Sequence, residues 1–242
     1  MSPALLLVVG AIVALAGLAQ TVAGFGFSLL AVPPLGVVLD PKDAVALAML
    51  CLVINSALLT WSERHHIDWG SVRILLVGAV PGLPIGMVLL DLATVGILRL
   101  ALAAAIFWSV AFLLSDIAAP ADGPGLDLAA GFATGLLTTS LNTNGPPTVI
   151  ALQARRLEPH QFRPTVSAVL GLTSAVGAVL FLLGGRITGD VSGAMVVAVP
   201  ALVVGWYLGI RIRPRVRAGS FRRIIITLLL AAGATTLFAA IA

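Results

Sequence analysis

Two short runs in this chain combine backbone freedom with hydrogen-bond donors inside otherwise apolar segments. The first is Gly24-Phe25-Gly26-Phe27, followed by Pro33-Pro34. The second is Asn142-Thr143-Asn144-Gly145, followed by Pro146-Pro147. A helix that stops and restarts within a membrane presents a new N-terminus. Its free N–H groups carry partial positive charge and suit an anion. Gly24 and Gly26 permit unusual φ and close backbone approach. Thr138, Thr139, Ser140, Asn142, Thr143 and Asn144 supply hydroxyl and amide donors, and Gly145 completes the second run. Gln20, Thr21 and Ser28 flank the first break, and Asn55 lies in a neighbouring span. These residues are expected to bind a small oxyanion without a buried arginine. Small residues also serve tight helix packing in many bundles. The matched position of the two breaks favours the binding role.

Other chemistries lack residues to carry them. Asp, Glu, Lys and Arg fall at segment ends or in loops, so no mid-membrane carboxylate offers itself for proton loading. His65 and His66 stand beside Glu63 and Asp68 without the spacing of a metal site. No nucleophile stands near a His–Asp pair. An enzyme, a metal centre and a bound cofactor are therefore not expected. A channel would show a continuous polar stripe or a filter repeated around an oligomer. That alternative ranks below a transporter, and a membrane enzyme ranks lower still.

The elements that must position these runs are membrane helices. Hydrophobic residues make up 60% of the 242-residue chain and charged residues 10%, far below the roughly 25% usual for soluble domains. The mean hydropathy is +1.11. Strand-like alternation is absent, so the chain reads as an all-α polytopic membrane protein in a lipid bilayer. Its basic balance belongs to short loops beside apolar runs and sets orientation, not nucleic-acid binding. No basic residue precedes the first apolar run, so that run is expected to be integral and not a cleaved leader.

The chain also repeats itself. Val80-Pro81-Gly82 with Gly86 returns 119 residues later as Val199-Pro200-Ala201 with Gly205. Leu39-Asp40-Pro41 returns 118 later as Leu157-Glu158-Pro159, and Gly17-Leu18-Ala19 returns 114 later as Gly131-Phe132-Ala133. The expected organisation is a first repeat at 1–118, a polar linker at 119–127 and a second repeat at 128–242. Each repeat would hold about four transmembrane helices and open with an interrupted one. Duplicated hydrophobic units with matching interruptions point to a transporter site.

Orientation follows from the loops. If each interrupted segment crosses once, eleven of the fourteen basic residues share one side, leaving Arg64, Arg73 and Arg186 opposite. The repeats would then be parallel, and the cluster from Arg211 to Arg223 would be cytoplasmic. If each interrupted segment crosses twice, there are five spans per half and the repeats are inverted. The charge pattern is expected to favour the parallel arrangement.

The length, the duplication, the early Gly-x-Gly run before proline and the Val-Pro-Gly-x-x-x-Gly element at Val80–Gly86 resemble the sulfite exporter TauE/SafE family. The resemblance covers essentially the whole chain. It implies a multi-pass permease of the cell inner membrane that moves a sulfur-containing anion, such as sulfite or a small organosulfonate. A coupling ion, proton or sodium, and a homodimer are left open.

Overall fold

The computed structural model describes residues 1–114, 123–215 and 218–241. Among them lie ten α-helices and no strand. In the first half these are α1 (Pro3–Ala23), α2 (Phe27–Val38), α3 (Pro41–Ser62), α4 (Trp69–Leu92) and α5 (Val95–Leu114). In the second half they are α6 (Pro124–Ser140), α7 (Gly145–Ala154), α8 (Pro159–Leu183), α9 (Gly189–Ile212) and α10 (Ala218–Ile241). Local chemistry marks the starts. Proline opens α1, α3, α6, α7 and α8, where the missing N–H costs nothing. Ser2, Asp40, Asp68 and Thr188 cap α1, α3, α4 and α9 with side-chain oxygens. The helix α6 begins at Pro124, inside the stretch expected to be linker. Residues 119–122 of that stretch, residues 115–118 before it and Arg217 lie outside the described residues.

Among the described residues, five helices, α1, α3, α4, α8 and α9, are long and apolar enough to cross a membrane. The chain is a multi-pass membrane protein. α1 has 21 residues, or ~31 Å at about 1.5 Å per residue, close to a full hydrocarbon core. α2 has 12 residues and α7 has 10, about half that length.

Contacts fix the helix directions. Gly10, Ala14 and Thr21 of α1 meet Val197, Gly205 and Gly209 of α9 in turn, so these helices run parallel. Gly78, Gly82 and Gly86 of α4 meet Leu128, Phe132 and Thr139 of α6, again in parallel. Ser56 and Met49 of α3 meet Gly171 and Gly177 of α8, which is antiparallel. Each interrupted segment folds back on itself. At the far end of α7, Arg155 pairs with Asp127 in the first turn of α6 at 2.5 Å. Likewise, α2 leads to Lys42, whose ammonium donates to the Asp91 carbonyl at the end of α4.

The expectation of four spans per copy in parallel is therefore corrected. Each half has five helices, and α3 runs opposite to α8, so the halves are inverted. The reason is that the break turns the chain back; it does not let one long segment continue across. The charge rule could not discriminate, because the inverted arrangement gives a comparable split with different members. Arg64, Arg73, Arg155, Arg156, Arg163, Arg211, Arg213 and Arg215 gather at one end, and α10 starts there with Arg222 and Arg223. The other end holds Lys42, Arg99 and Arg186.

The Val-Pro-Gly elements prove to be packing seams. A Cβ on Gly82 or Gly86 would strike the backbone of α6, and one on Gly205 would strike that of α1. Backbone-to-backbone approach of this kind is what small residues permit between membrane helices.

Candidate functional site

The two breaks face each other. A cavity between them is lined by Gly26, Phe27, Ser28 and Leu29 from the first half and by Asn142, Thr143, Asn144 and Gly145 from the second. Leu52 of α3 and Leu170 of α8 close it, and each is the twelfth residue of its helix. Leu52 and Leu170 stand 118 residues apart, as do Gly26 and Asn144. The cavity thus lies where the two halves exchange places. Its volume is about 10 Å³, close to the least that holds one water. The site is closed in this conformation.

The backbone there is unusual. Gly24 ends α1 at φ 89° and Gly26 precedes α2 at φ 98°. Asn142, 118 residues after Gly24, also has positive φ, at 53°. Asparagine is among the few non-glycine residues that adopt this conformation readily. The two glycines are required for different reasons. A Cβ on Gly24 would press on the stem of Arg163 at 3.2–3.5 Å, whereas one on Gly26 would meet open space. Gly26 is held by its φ alone.

Both half-helices begin at the cavity without a side-chain cap. α2 offers the N–H groups of Phe27, Ser28 and Leu29 in its first turn. α7 offers fewer, because Pro146 and Pro147 have none. Side chains take their place. Asn142 is fully buried, and neither its amide nitrogen nor its amide oxygen has a partner. The hydroxyls of Thr143 and Ser28 are likewise buried and unpartnered. Buried polar groups are normally satisfied, and leaving one bare costs about 1–3 kcal/mol. These bare groups cluster around one cavity at two helix N-termini. No charged residue lines the cavity, so the attraction comes from dipoles.

Other expected residues lie around this centre. The Asn55 amide donates to Gln20 at 2.7 Å and Gln20 donates to Ser56 at 3.1 Å, bracing α1 against α3. Asn144 donates to Thr138 at 3.0 Å and to Ser174 at 3.3 Å, bracing the second break against α8. Gln20, Asn55 and Thr138 therefore support the breaks and do not line the cavity. Thr21 and Ser140 turn their hydroxyls back to the carbonyls of Gly17 and Leu136. Thr139 donates across the seam to the Leu83 carbonyl at 2.6 Å. These three serve packing. Sequence reasoning missed the cavity walls Leu52 and Leu170 and the buried bond between Thr134 and Thr148 at 3.1 Å. It also missed Arg163, whose side chain donates to the Thr21 carbonyl at 2.5 Å beside the first break. A single 118-residue register, already present in Leu39-Asp40-Pro41 and Leu157-Glu158-Pro159, pairs these positions. The 114-residue match of Gly17 with Gly131 is one turn out of it.

The chain is similar to known proteins over nearly its whole length. The family described as sulfite exporter TauE/SafE matches residues 9–236. A protein of Cupriavidus necator named "Probable sulfite/organosulfonate exporter TauE" is 28% identical over 229 residues, covering 92% of this chain and 90% of the relative. No solved structure matches.

Proposed function

The chain belongs to the sulfite exporter TauE/SafE family, a family of transporters and not of enzymes, and from that premise we propose that it carries a small sulfur oxyanion or organosulfonate out across the cell inner membrane. The cargo sits between the two breaks. The observation that carries this reading is the buried, unpartnered set of Ser28, Asn142 and Thr143 at two converging half-helix N-termini. Such a site binds an oxyanion through neutral donors and helix dipoles. Neutral donors also allow release, because a buried arginine pair would hold the anion too tightly to let it go.

A cavity of about 10 Å³ does not admit sulfite. The bound state therefore needs the breaks to move apart, with α1–α2 and α6–α7 separating at Leu52 and Leu170. Each face is meanwhile tied by an ion pair, Asp91 with Arg186 at one end and Glu63 with Arg213 at the other. Opening one end at a time gives alternating access.

Uptake of radiolabelled sulfite into proteoliposomes tests the reading. Saturable flux, inhibited by ethanesulfonate and not by chloride, is expected. Flux that never saturates would indicate a channel, and no flux of either anion would remove the substrate class.

A further inference from the structure

We propose that Arg163 and Ser167 form an outer anion site on the arginine-rich side, one to two helical turns short of the cavity, where cargo waits before passing between the breaks. This rests on the anion-transport reading above. One face of α8 carries Arg163, Ser167, Leu170 and Ser174 at helical spacing. Arg163 lies against Gly24, Ser167 donates to the Gly24 carbonyl at 3.3 Å, Leu170 lines the cavity, and Ser174 accepts from Asn144. The stripe thus leads from the arginine-rich end past the first break to the second.

The corresponding face of α3, 118 residues earlier, carries Val45, Met49, Leu52 and Ser56. Val45 and Met49 are buried and apolar. A cation and a hydroxyl therefore guard the cavity from one end only. Inverted halves would otherwise give both ends the same lining, so the difference bears on the approach of the cargo.

Capping of α1 does not account for Arg163 in full. One amino group satisfies the Thr21 carbonyl, as a basic residue at a helix C-terminus does. Its Nε is buried with no partner. The nearby carboxylate of Glu63 is taken by Arg213. The Arg163 Nε–H is thus a desolvated, charged donor without an acceptor, and an oxyanion supplies one through a single charge-assisted bond.

The test is sulfite flux in vesicles of both orientations, with half-saturation measured from each face. Arg163→Gln is expected to raise half-saturation from the arginine-rich face about tenfold, leave the opposite face within about twofold, and be largely rescued in Arg163→Lys. Ser167→Ala is expected to give a smaller rise on the same face, and it keeps the proposal open to refutation should Arg163→Gln not fold. An equal rise on both faces, or no rise in any folded variant, would reduce Arg163 to a helix cap and overturn the proposal. Absence of saturable sulfite flux in the unaltered protein is a separate outcome, which would overturn the transport reading itself.

Discussion

Asn142 concentrates the residue-scale question. Its left-handed backbone and its bare amide occur together, and Asn142→Gly separates them, because glycine keeps the φ and removes the donor. We expect this variant to fold and to bind anion about 5–150-fold more weakly, the range for losing 1–3 kcal/mol. Calorimetric titration with sulfite checks it. Gly26 gives the complementary case. A β-branched side chain there faces open space but a φ of 98°, a strain of about 1–3 kcal/mol. Gly26→Val should insert and lose flux. Gly10 is unsuitable as its control, since a Cβ there would meet Val197 of α9 at 3.0 Å, whereas Gly193 meets nothing. Gly193→Val should insert and transport normally in the same assay. The donors around the second break were legible in the sequence because their types stand out in an apolar chain. Leu52, Leu170 and Arg163 were not, because a leucine in a membrane helix and an arginine near its end carry no signal until the register between the halves is known.

At the scale of elements, α4 depends on its cap and its seam. Asp68 accepts from the N–H groups of Gly70 and Ser71 and from the Ser71 hydroxyl at 2.5 Å. The Ser71 hydroxyl bond is the largest cause of a carboxyl held below its ordinary value, with the two backbone N–H groups and Arg155 adding to it. A lowered folded value means that the cap stabilises above the ordinary carboxylate range. That contribution is lost as pH falls through the lowered value. Asp68→Ala should therefore lower thermal stability by about 1 kcal/mol near neutrality. Its difference from the unaltered protein should shrink as melting is followed toward pH 3. The seam is less forgiving. The Val-Pro-Gly repeat was visible in the sequence as a motif, but its use as a backbone contact between α4 and α6, and between α9 and α1, depends on which helices meet. Hydropathy cannot supply that partner choice.

At the scale of the molecule, the sequence identified helices, membrane and duplication, and it left open how often each interrupted segment crosses. The ambiguity was physical. Turning α1–α2 and α6–α7 back on themselves moves Arg64 and Arg73 to the arginine-rich end and sends Lys42 and Arg99 to the other, leaving the overall split nearly unchanged. The loop between α3 and α4 separates the two topologies. His65, exposed in that loop, should lie on the same cytoplasmic side as the start of α10. In a Cys51→Ala background, His65→Cys and Ser220→Cys should both react with a membrane-impermeant maleimide in inside-out vesicles and neither in intact cells. Labelling of His65→Cys from outside would restore four parallel spans per copy.

The central claim is that the two breaks together bind a sulfur oxyanion, and its most direct measurement is thermal unfolding of the purified protein against rising sulfite. A ligand that binds the folded state raises stability by RT ln(1 + [L]/Kd), about 2.7 kcal/mol at a hundredfold excess over Kd. A saturating rise with sulfite, absent with chloride at equal ionic strength and lost in Asn142→Gly, is the predicted result. A rise that survives unchanged in Asn142→Gly, or no rise with sulfite at all, would contradict it.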